Sequence, residues 1–191
     1  MSHRACLKFM LAALVAGLGF TSLARGDDYK VDPMHAGITF KISHLGLSWI
    51  QGRFDEFGGD FTIDTANPEK SSFKMNINPA SIDTNNQKRD DHLRSPDFLN
   101  AKQFPAMQFK STSVRPTKGG YEVTGDFTMH GVTKPVTFEL LGGRTTEMQG
   151  ATRTGFSSEF TLRRADFSVG AVTPAMGEKI YVAVSFEGIR Q

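Results

Sequence analysis

The sequence predicts an all-β domain whose strands pair antiparallel, in the form of a barrel with an apolar interior. Apolar and polar residues alternate in one segment after another beyond residue 26, and short turn-forming links join most of these segments. Alternation with a period of two is typical of a strand with one buried face, and short links require antiparallel neighbours. A long polar connection without alternation, at residues 83–100, predicts a short helical cap segment.

The first 26 residues have the order of a secretory signal peptide. Arg4 and Lys8 precede an apolar run at residues 9–20, and small residues follow as far as Gly26. The run is shorter than the roughly 20 residues that a helix needs to span a bilayer, which argues against a membrane anchor. We predict a signal peptide at 1–26 that is cleaved after Gly26, with Ala24 as the alternative, and a single domain at 27–191.

The predicted mature chain has neither disulfides nor a strong net charge. Its only cysteine, Cys6, precedes the apolar run, so the exported domain must rely on packing for stability. Without the basic residues of the signal peptide, 19 lysines and arginines face 20 acidic residues, a net charge of −1. This balance indicates neither a nucleic-acid partner nor an anionic-membrane partner.

Eight segments alternate clearly enough to be predicted as strands. They are residues 38–44, 52–64, 73–78, 107–110, 121–129, 136–140, 156–162 and 180–186, with turn signals at 67–68, 118–120, 130–135 and 142–143. In 52–64 the alternation changes phase between Phe54 and Phe57, beside two glycines, which predicts a β-bulge in a long strand. Eight such strands can close into a barrel or stack as two sheets, and periodicity does not decide between them.

The polar connection at residues 83–100 predicts one or two short helices over one end of the sheet. Ser95-Pro96 is its helix-start signal. Arg89 and Asp90 in this segment could form an ion pair that pins the cap, or could meet the polar head group of a ligand.

Four histidines of the predicted mature chain lie at strand ends or in loops: His35, His44, His92 and His130. If those ends converge, they could form a metal site or supply a general base together with Asp90. No two of them have zinc-ligand or i, i+4 spacing, and no nucleophile elbow, phosphate loop or dinucleotide fingerprint is present. The sequence therefore favours hydrogen-bonded histidines at the barrel rim and predicts a protein that is not an enzyme.

The aromatic composition favours a barrel whose apolar face is inside. The chain has 16 Phe but only three Tyr and one Trp, whereas outer-membrane barrels carry girdles of Tyr and Trp. An eight-stranded barrel is wide enough either to be filled by side chains or to hold one small ligand. The inward residues alone leave both arrangements open.

Several stretches of the chain together form a specific pattern. They are His35, residues 44–46, Ser48-Trp49, Gly52, Phe54, residues 81–84 and 89–98, Pro105, Phe109, Gly125-Asp126, residues 131–135 and Gly155-Phe156. With them, the chain resembles the YceI-like periplasmic proteins from Tyr29 to Gly188. Two departures are Ser168, where many members have glycine, and Lys179, where an acidic residue is common.

The resemblance implies a lipocalin-like, eight-stranded barrel in the periplasm that encloses a long isoprenoid or similar lipid, such as a quinone or polyprenyl chain. It favours a hollow barrel, with an apolar lipid ligand in place of a cofactor and without a stable membrane anchor. The alternatives are a structural or stress protein with a filled barrel and no ligand, and a metalloenzyme that uses histidines. The oligomeric state stays open, a homodimer included.

Alternation and resemblance together select the candidate ligand-binding residues. The predicted tunnel lining is Phe40, Ile42, Phe61, Phe73, Met75, Met107, Phe109, Phe127, Met129, Phe138, Phe160 and Phe186. The predicted polar rim, which would meet a head group, is His35, His44, Arg89, Asp90, His92 and His130.

Overall fold

The structure is a computed structural model that describes residues 26–171 and 173–191. The predicted signal peptide, apart from Gly26, lies outside the described residues, so its cleavage stays a prediction.

The described chain contains ten strands, one α-helix and three short 3-10 helices. The strands are β1 (Asp27–His44), β2 (Ser48–Phe54), β3 (Phe57–Ile63), β4 (Ser72–Ile77), β5 (Ile82–Asp83), β6 (Met107–Pro116), β7 (Gly120–Met129), β8 (Val132–Met148), β9 (Ala151–Arg163) and β10 (Met176–Arg190). The helix α1 is Gln87–Arg94, and the 3-10 helices are Pro68–Lys70, Pro79–Ser81 and Arg164–Phe167.

The strands form one antiparallel sheet that closes on itself through β1 and β10. On its other side β1 pairs first with β3 and then with β2. β2 and β3 occupy one position in the barrel and β4 and β5 another, because each pair is a single strand interrupted in its middle. The result is a closed eight-stranded barrel, which confirms the predicted fold class and excludes two stacked sheets.

The irregularity predicted near Phe54 and Phe57 is a break that two neighbouring strands share. The Asp55 N–H donates to the Ser81 carbonyl (3.2 Å), and the Asn78 N–H donates to the Glu56 carbonyl (2.9 Å). Together with the bond from the Glu56 N–H to the Ser81 hydroxyl (3.0 Å), these bonds connect the two strands across the break.

One predicted turn was wrong. Gly142-Gly143 does not end a strand: β8 runs through both glycines to Met148, and the turn into β9 follows at Gln149-Gly150. The register shifts between Gly142 and Arg144, with φ of +125° and +86° at the two glycines. These angles disfavour residues with a Cβ, so the glycine pair accommodates a β-bulge within a long strand.

The predicted helix exists, but its start signal was wrong. α1 begins after Asn86, whose side chain accepts a hydrogen bond from the Arg89 N–H (3.0 Å), and it ends at Ser95. Pro96 disfavours helical backbone at the residue before it, and Ser95 accordingly has extended angles. Ser95-Pro96 therefore terminates the helix.

The barrel interior differs between its two ends. Where β1 begins, the rings of Tyr29, Phe61, Phe73, Phe156 and Phe186 pack with contacting centroids 5.0 to 5.8 Å apart. This end is filled by side chains. At the other end, below α1 and the 3-10 helix Arg164–Phe167, the apolar side chains surround open space.

Candidate functional site

Two adjacent cavities occupy the open part of the barrel. The larger, about 340 Å³, lies at the α1 end, and the smaller, about 80 Å³, lies between it and the packed aromatic rings. Their walls share Ile38, Ile77, Phe127, Phe160 and Val184. The larger cavity has the size of a small-molecule site. The two follow one another along the interior, an arrangement that suits an elongated ligand.

All twelve residues of the predicted tunnel lining lie on the walls of these cavities. Phe40, Ile42, Met107 and Met129 line the larger cavity, Phe61, Phe73, Met75, Phe109, Phe138 and Phe186 line the smaller one, and Phe127 and Phe160 line both. Each of these side chains therefore faces the barrel interior. Whether these residues contact a ligand stays a prediction.

Part of the cavity wall was not among the residues predicted from the sequence. Ile180, Val182 and Val184 of β10 line the larger cavity and share the alternation, which could have identified them. Phe98 and Leu99 also line it, but they belong to the cap segment, where no periodicity indicates the inward side. Their positions depend on how the cap folds over the barrel end.

The larger cavity has a polar end in which every ionisable side chain is basic. The four residues are His44, Arg89, His92 and Arg164, and none of the described residues of the wall is acidic. The Arg164 N–H groups donate to backbone carbonyls, and the Arg89 Nε and Nη2 donate to Thr84. The donors that remain for a ligand with acceptor atoms are the Arg89 Nη1 and the N–H groups of the histidines.

Arg164 is buried, with 3% of its surface exposed, although it has no carboxylate partner within ion-pair distance among the described residues. Its guanidinium donates to the carbonyls of Val169 (2.6 Å) and Gly177 (2.9 Å). Desolvation by burial lowers the pKa of this group, and the negative charge of Glu178 partly opposes that effect. The carbonyl dipoles thus hold a positive charge at the wall of an apolar cavity.

Thr84 connects the two charged residues at the start of α1. The Arg89 Nε donates to the Thr84 hydroxyl (2.7 Å), and that hydroxyl in turn donates to the Asp90 carboxylate. The direct ion pair considered for Arg89 and Asp90 is absent, because both side chains bind Thr84. Arg89 lines the cavity, whereas Asp90 is buried behind it and is not part of the wall.

The structure does not bring all of the predicted rim residues together. His35 lies in the irregular part of β1, where its Nδ1 is 2.8 Å from the Asp32 carboxylate. His130 lies in the turn after β7, with its Nδ1 3.3 Å from the Phe167 carbonyl and its ring against Phe104. Neither residue lines the cavity. His35 is held by Asp32, and His130 is held against Phe104 and the 3-10 helix Arg164–Phe167, so neither joins His44 and His92 at the cavity.

Asp32 belongs to an ion-pair cluster away from the cavity. It accepts a hydrogen bond from Arg153 (2.7 Å) and contacts His35, and Arg153 also approaches Glu187 (3.3 Å). The hydrogen bond from Arg153, helped by His35, lowers the pKa of Asp32 to about 2. This cluster ties the irregular part of β1 to β9 and β10.

Two features are absent from the described ranges, 26–171 and 173–191. No group of three or more His, Cys, Asp or Glu side chains is placed to hold a metal ion. No helix there has the length and apolar character needed to cross a membrane.

The fold and its interior define a class, that of closed eight-stranded antiparallel β-barrels with an apolar cavity under a short helix. Within this class, the chain matches the family model described as the YceI-like domain over residues 29–188. The chain belongs to the YceI-like family. It is 43% identical over 190 residues to a UPF0312 protein of Pseudomonas aeruginosa, covering 97% of this chain and all of that protein.

Solved structures have the same fold. Burkholderia cenocepacia BcnA superposes with a TM-score of 0.75 at 22% identity, covering 82% of this chain and 98% of that one. A polyisoprenoid binding domain from Saccharophagus degradans, implicated in plant cell wall breakdown, gives a TM-score of 0.66 at 15% identity over 85% and 98% of the two chains.

Proposed function

We propose that this protein is a lipid carrier of the periplasm that holds an isoprenoid-type or other long apolar chain inside its barrel. The observation that carries the proposal is the pair of adjacent apolar cavities beneath one polar end. Polyisoprenoid binding by the related Saccharophagus degradans domain supports it, and the signal-peptide pattern of residues 1–26 supports export.

The cavity walls suit a hydrocarbon chain. They consist mainly of Phe, Ile, Val and Met side chains, which contact a ligand without directional bonds. Removing such a chain from water is worth about 0.8 kcal/mol per CH₂ group, so each further unit inside the barrel strengthens binding. The packed rings of Phe61 and Phe73 close the far end and limit how deep a chain can reach.

The polar end suits a head group that accepts hydrogen bonds. The Arg89 Nη1 can donate to it, His44 and His92 each carry at least one N–H group, and Arg164, whose N–H groups bind backbone carbonyls, contributes its positive charge. A quinone carbonyl or a phosphate offers matching acceptors. A ligand that is apolar at one end and rich in acceptors at the other therefore fits both halves of the site.

The alternative function is that of a structural or stress protein with no ligand. The filled half of the barrel favours it, because those rings pack without a lipid. The two functions predict different occupancy of the larger cavity. A carrier binds a lipid there, whereas a structural protein binds no specific ligand.

Native mass spectrometry of the mature protein, purified after export, tests the carrier function. We expect one lipid of defined mass for each chain, and loading when the emptied protein is mixed with a polyprenol or an isoprenoid quinone in mild detergent. A bare polypeptide that takes up neither compound would overturn the carrier function in favour of the ligand-free one.

A further inference from the structure

The turn between β1 and β2 carries large apolar side chains into solvent. Leu45 is 54% exposed and Leu47 is 84% exposed, one on each side of Gly46. Trp49, two residues further along, is 50% exposed. Tyr181 of the neighbouring β10 is also exposed. We call these four residues the apolar tip.

The backbone of the turn disfavours the leucine that it carries. The Leu47 N–H donates to the His44 carbonyl (3.0 Å), and φ is +56° at Leu45 and +68° at Gly46. A tight turn with positive φ at both central positions favours Asn, Asp or Gly at the first of them. Leu45 therefore occupies a strained position and gains little packing there. The stability of the fold therefore does not explain why a leucine occupies this position.

The rest of the apolar tip has the chemistry of a membrane–water interface. The rings of Trp49 and Tyr181 meet edge to face with centroids 5.4 Å apart. The Lys41 ammonium lies against both rings, 5.4 Å from the centroid of Trp49 and 5.7 Å from that of Tyr181. Trp and Tyr concentrate at the head-group level of bilayers, and Lys reaches from there into water. Leucines at the tip with Trp, Tyr and Lys behind them match the order from hydrocarbon to head groups.

The apolar tip is also the lip of the larger cavity. His44 precedes the turn and lines that cavity, as do Ile50 after the turn and Met176 beside it. The Leu45 N–H donates to the Ala175 carbonyl (2.8 Å), which fixes the turn against the start of β10. A chain that leaves a bilayer at the tip would reach the cavity without crossing water.

We propose that the apolar tip docks this protein on a lipid bilayer, with Leu45 and Leu47 inserted and the mouth of the larger cavity at the membrane surface. The docking is peripheral and reversible. It depends on apolar insertion, in keeping with the near-neutral net charge of the mature chain. The purpose of the docking, which is the passage of a lipid into the cavity, rests on the proposed carrier function. The docking itself rests only on the exposed side chains of the apolar tip.

Co-sedimentation of the mature protein with vesicles of phosphatidylethanolamine and phosphatidylglycerol tests the docking. We expect the wild type to bind, with a blue shift in the fluorescence of Trp49, the only tryptophan of the chain. The double variant Leu45→Asn with Leu47→Ser should lose at least tenfold in vesicle affinity and should lose the blue shift. Asn suits the turn, so the double variant should melt no lower than the wild type.

Met34→Ser is the matched control. Met34 is 86% exposed, but it lies in the irregular part of β1 beside the Asp32 cluster and does not line the cavity. This variant should bind vesicles as the wild type does. Equal losses in the control and in the double variant would overturn docking through the tip.

Two other results would also overturn the docking. One is a wild type that does not bind the vesicles. The other is a wild-type dimer that the double variant separates, because the apolar tip would then be an interface between two copies of this chain. Loading with a polyprenol in detergent should be unchanged in the double variant, so a failure of the carrier function appears in the loading measurement and not in the vesicle measurement.

Discussion

Thr84 and Asp90 form two hydrogen bonds that fasten the helical cap to the barrel. The Asp90 carboxylate accepts from both the backbone N–H (3.0 Å) and the hydroxyl of Thr84, and both residues are buried. Thr84 directly follows β5, and Asp90 lies in the first turn of α1. The position of the cap, and with it of Arg89 and His92 over the cavity, depends on this pair.

Removing the hydroxyl while keeping the shape of the side chain should loosen the cap. Thr84→Val leaves a buried carboxylate with one partner fewer and the Arg89 Nε without its acceptor. We expect a loss of about 1–3 kcal/mol in the free energy of unfolding, the range for unsatisfied buried polar groups, measured by urea denaturation. The control, Thr112→Val, removes an exposed hydroxyl that bonds the Thr124 carbonyl, and should change the free energy by less than about 0.5 kcal/mol. Equal effects would contradict a special role for Thr84.

Filling the cavity should abolish lipid loading. Val184 lines both cavities, so Val184→Phe places a ring between them and blocks the path of a chain. Ser185→Phe is the matched control, because the next residue along β10 points out of the barrel and is exposed. We expect native mass spectrometry with added polyprenol to find loading in the control and not in Val184→Phe. Undiminished loading of Val184→Phe would place the ligand elsewhere.

Acid should weaken the Asp32 cluster. The pKa of Asp32 is lowered from its ordinary value of 3.8 to about 2 in the folded protein. The folded state therefore binds this proton less readily than the unfolded state, so the stabilisation is complete above about pH 5 and is lost progressively as the pH falls towards 2. Urea midpoints should be higher for the wild type than for Asp32→Asn at pH 6, and the difference should shrink by pH 2.5. A difference that does not depend on pH would contradict the role of ionisation.

Ser168 should be replaceable by glycine with a gain in stability. This exposed residue has φ of +55° after the 3-10 helix Arg164–Phe167, and none of the described hydrogen bonds involves its hydroxyl. Relief of left-handed strain outweighs the greater freedom of glycine in the unfolded chain, so Ser168→Gly should add about 0.5–1 kcal/mol to the free energy of unfolding. Ser157→Gly, in extended backbone of β9, should lose a similar amount, about 0.5–1 kcal/mol. A loss of stability in Ser168→Gly would mean that the serine side chain itself contributes.

Much of the barrel follows from local pattern. Alternation identified all eight strand positions and placed Phe40, Phe73 and Phe160 on the inner face, because side chains of a strand point alternately to its two sides. The prediction of a turn at Gly142-Gly143 was wrong, because a pair of glycines suits a β-bulge as well as a turn. The prediction of a helix start at Ser95-Pro96 was also wrong, because this pair can begin a helix or end one.

The sequence by itself determined the period of the strands, the apolar character of the interior and the resemblance to the YceI-like family. Only the tertiary structure decided that the barrel closes, that one end is filled while the other is hollow, and that Arg164 joins His44, Arg89 and His92 at the cavity while His35 and His130 do not. The physical reason is that period and propensity act between neighbours along the chain. Closure, cavity volume and the position of Arg164 on the same cavity wall as α1 depend on contacts between residues far apart in sequence, which no local pattern encodes.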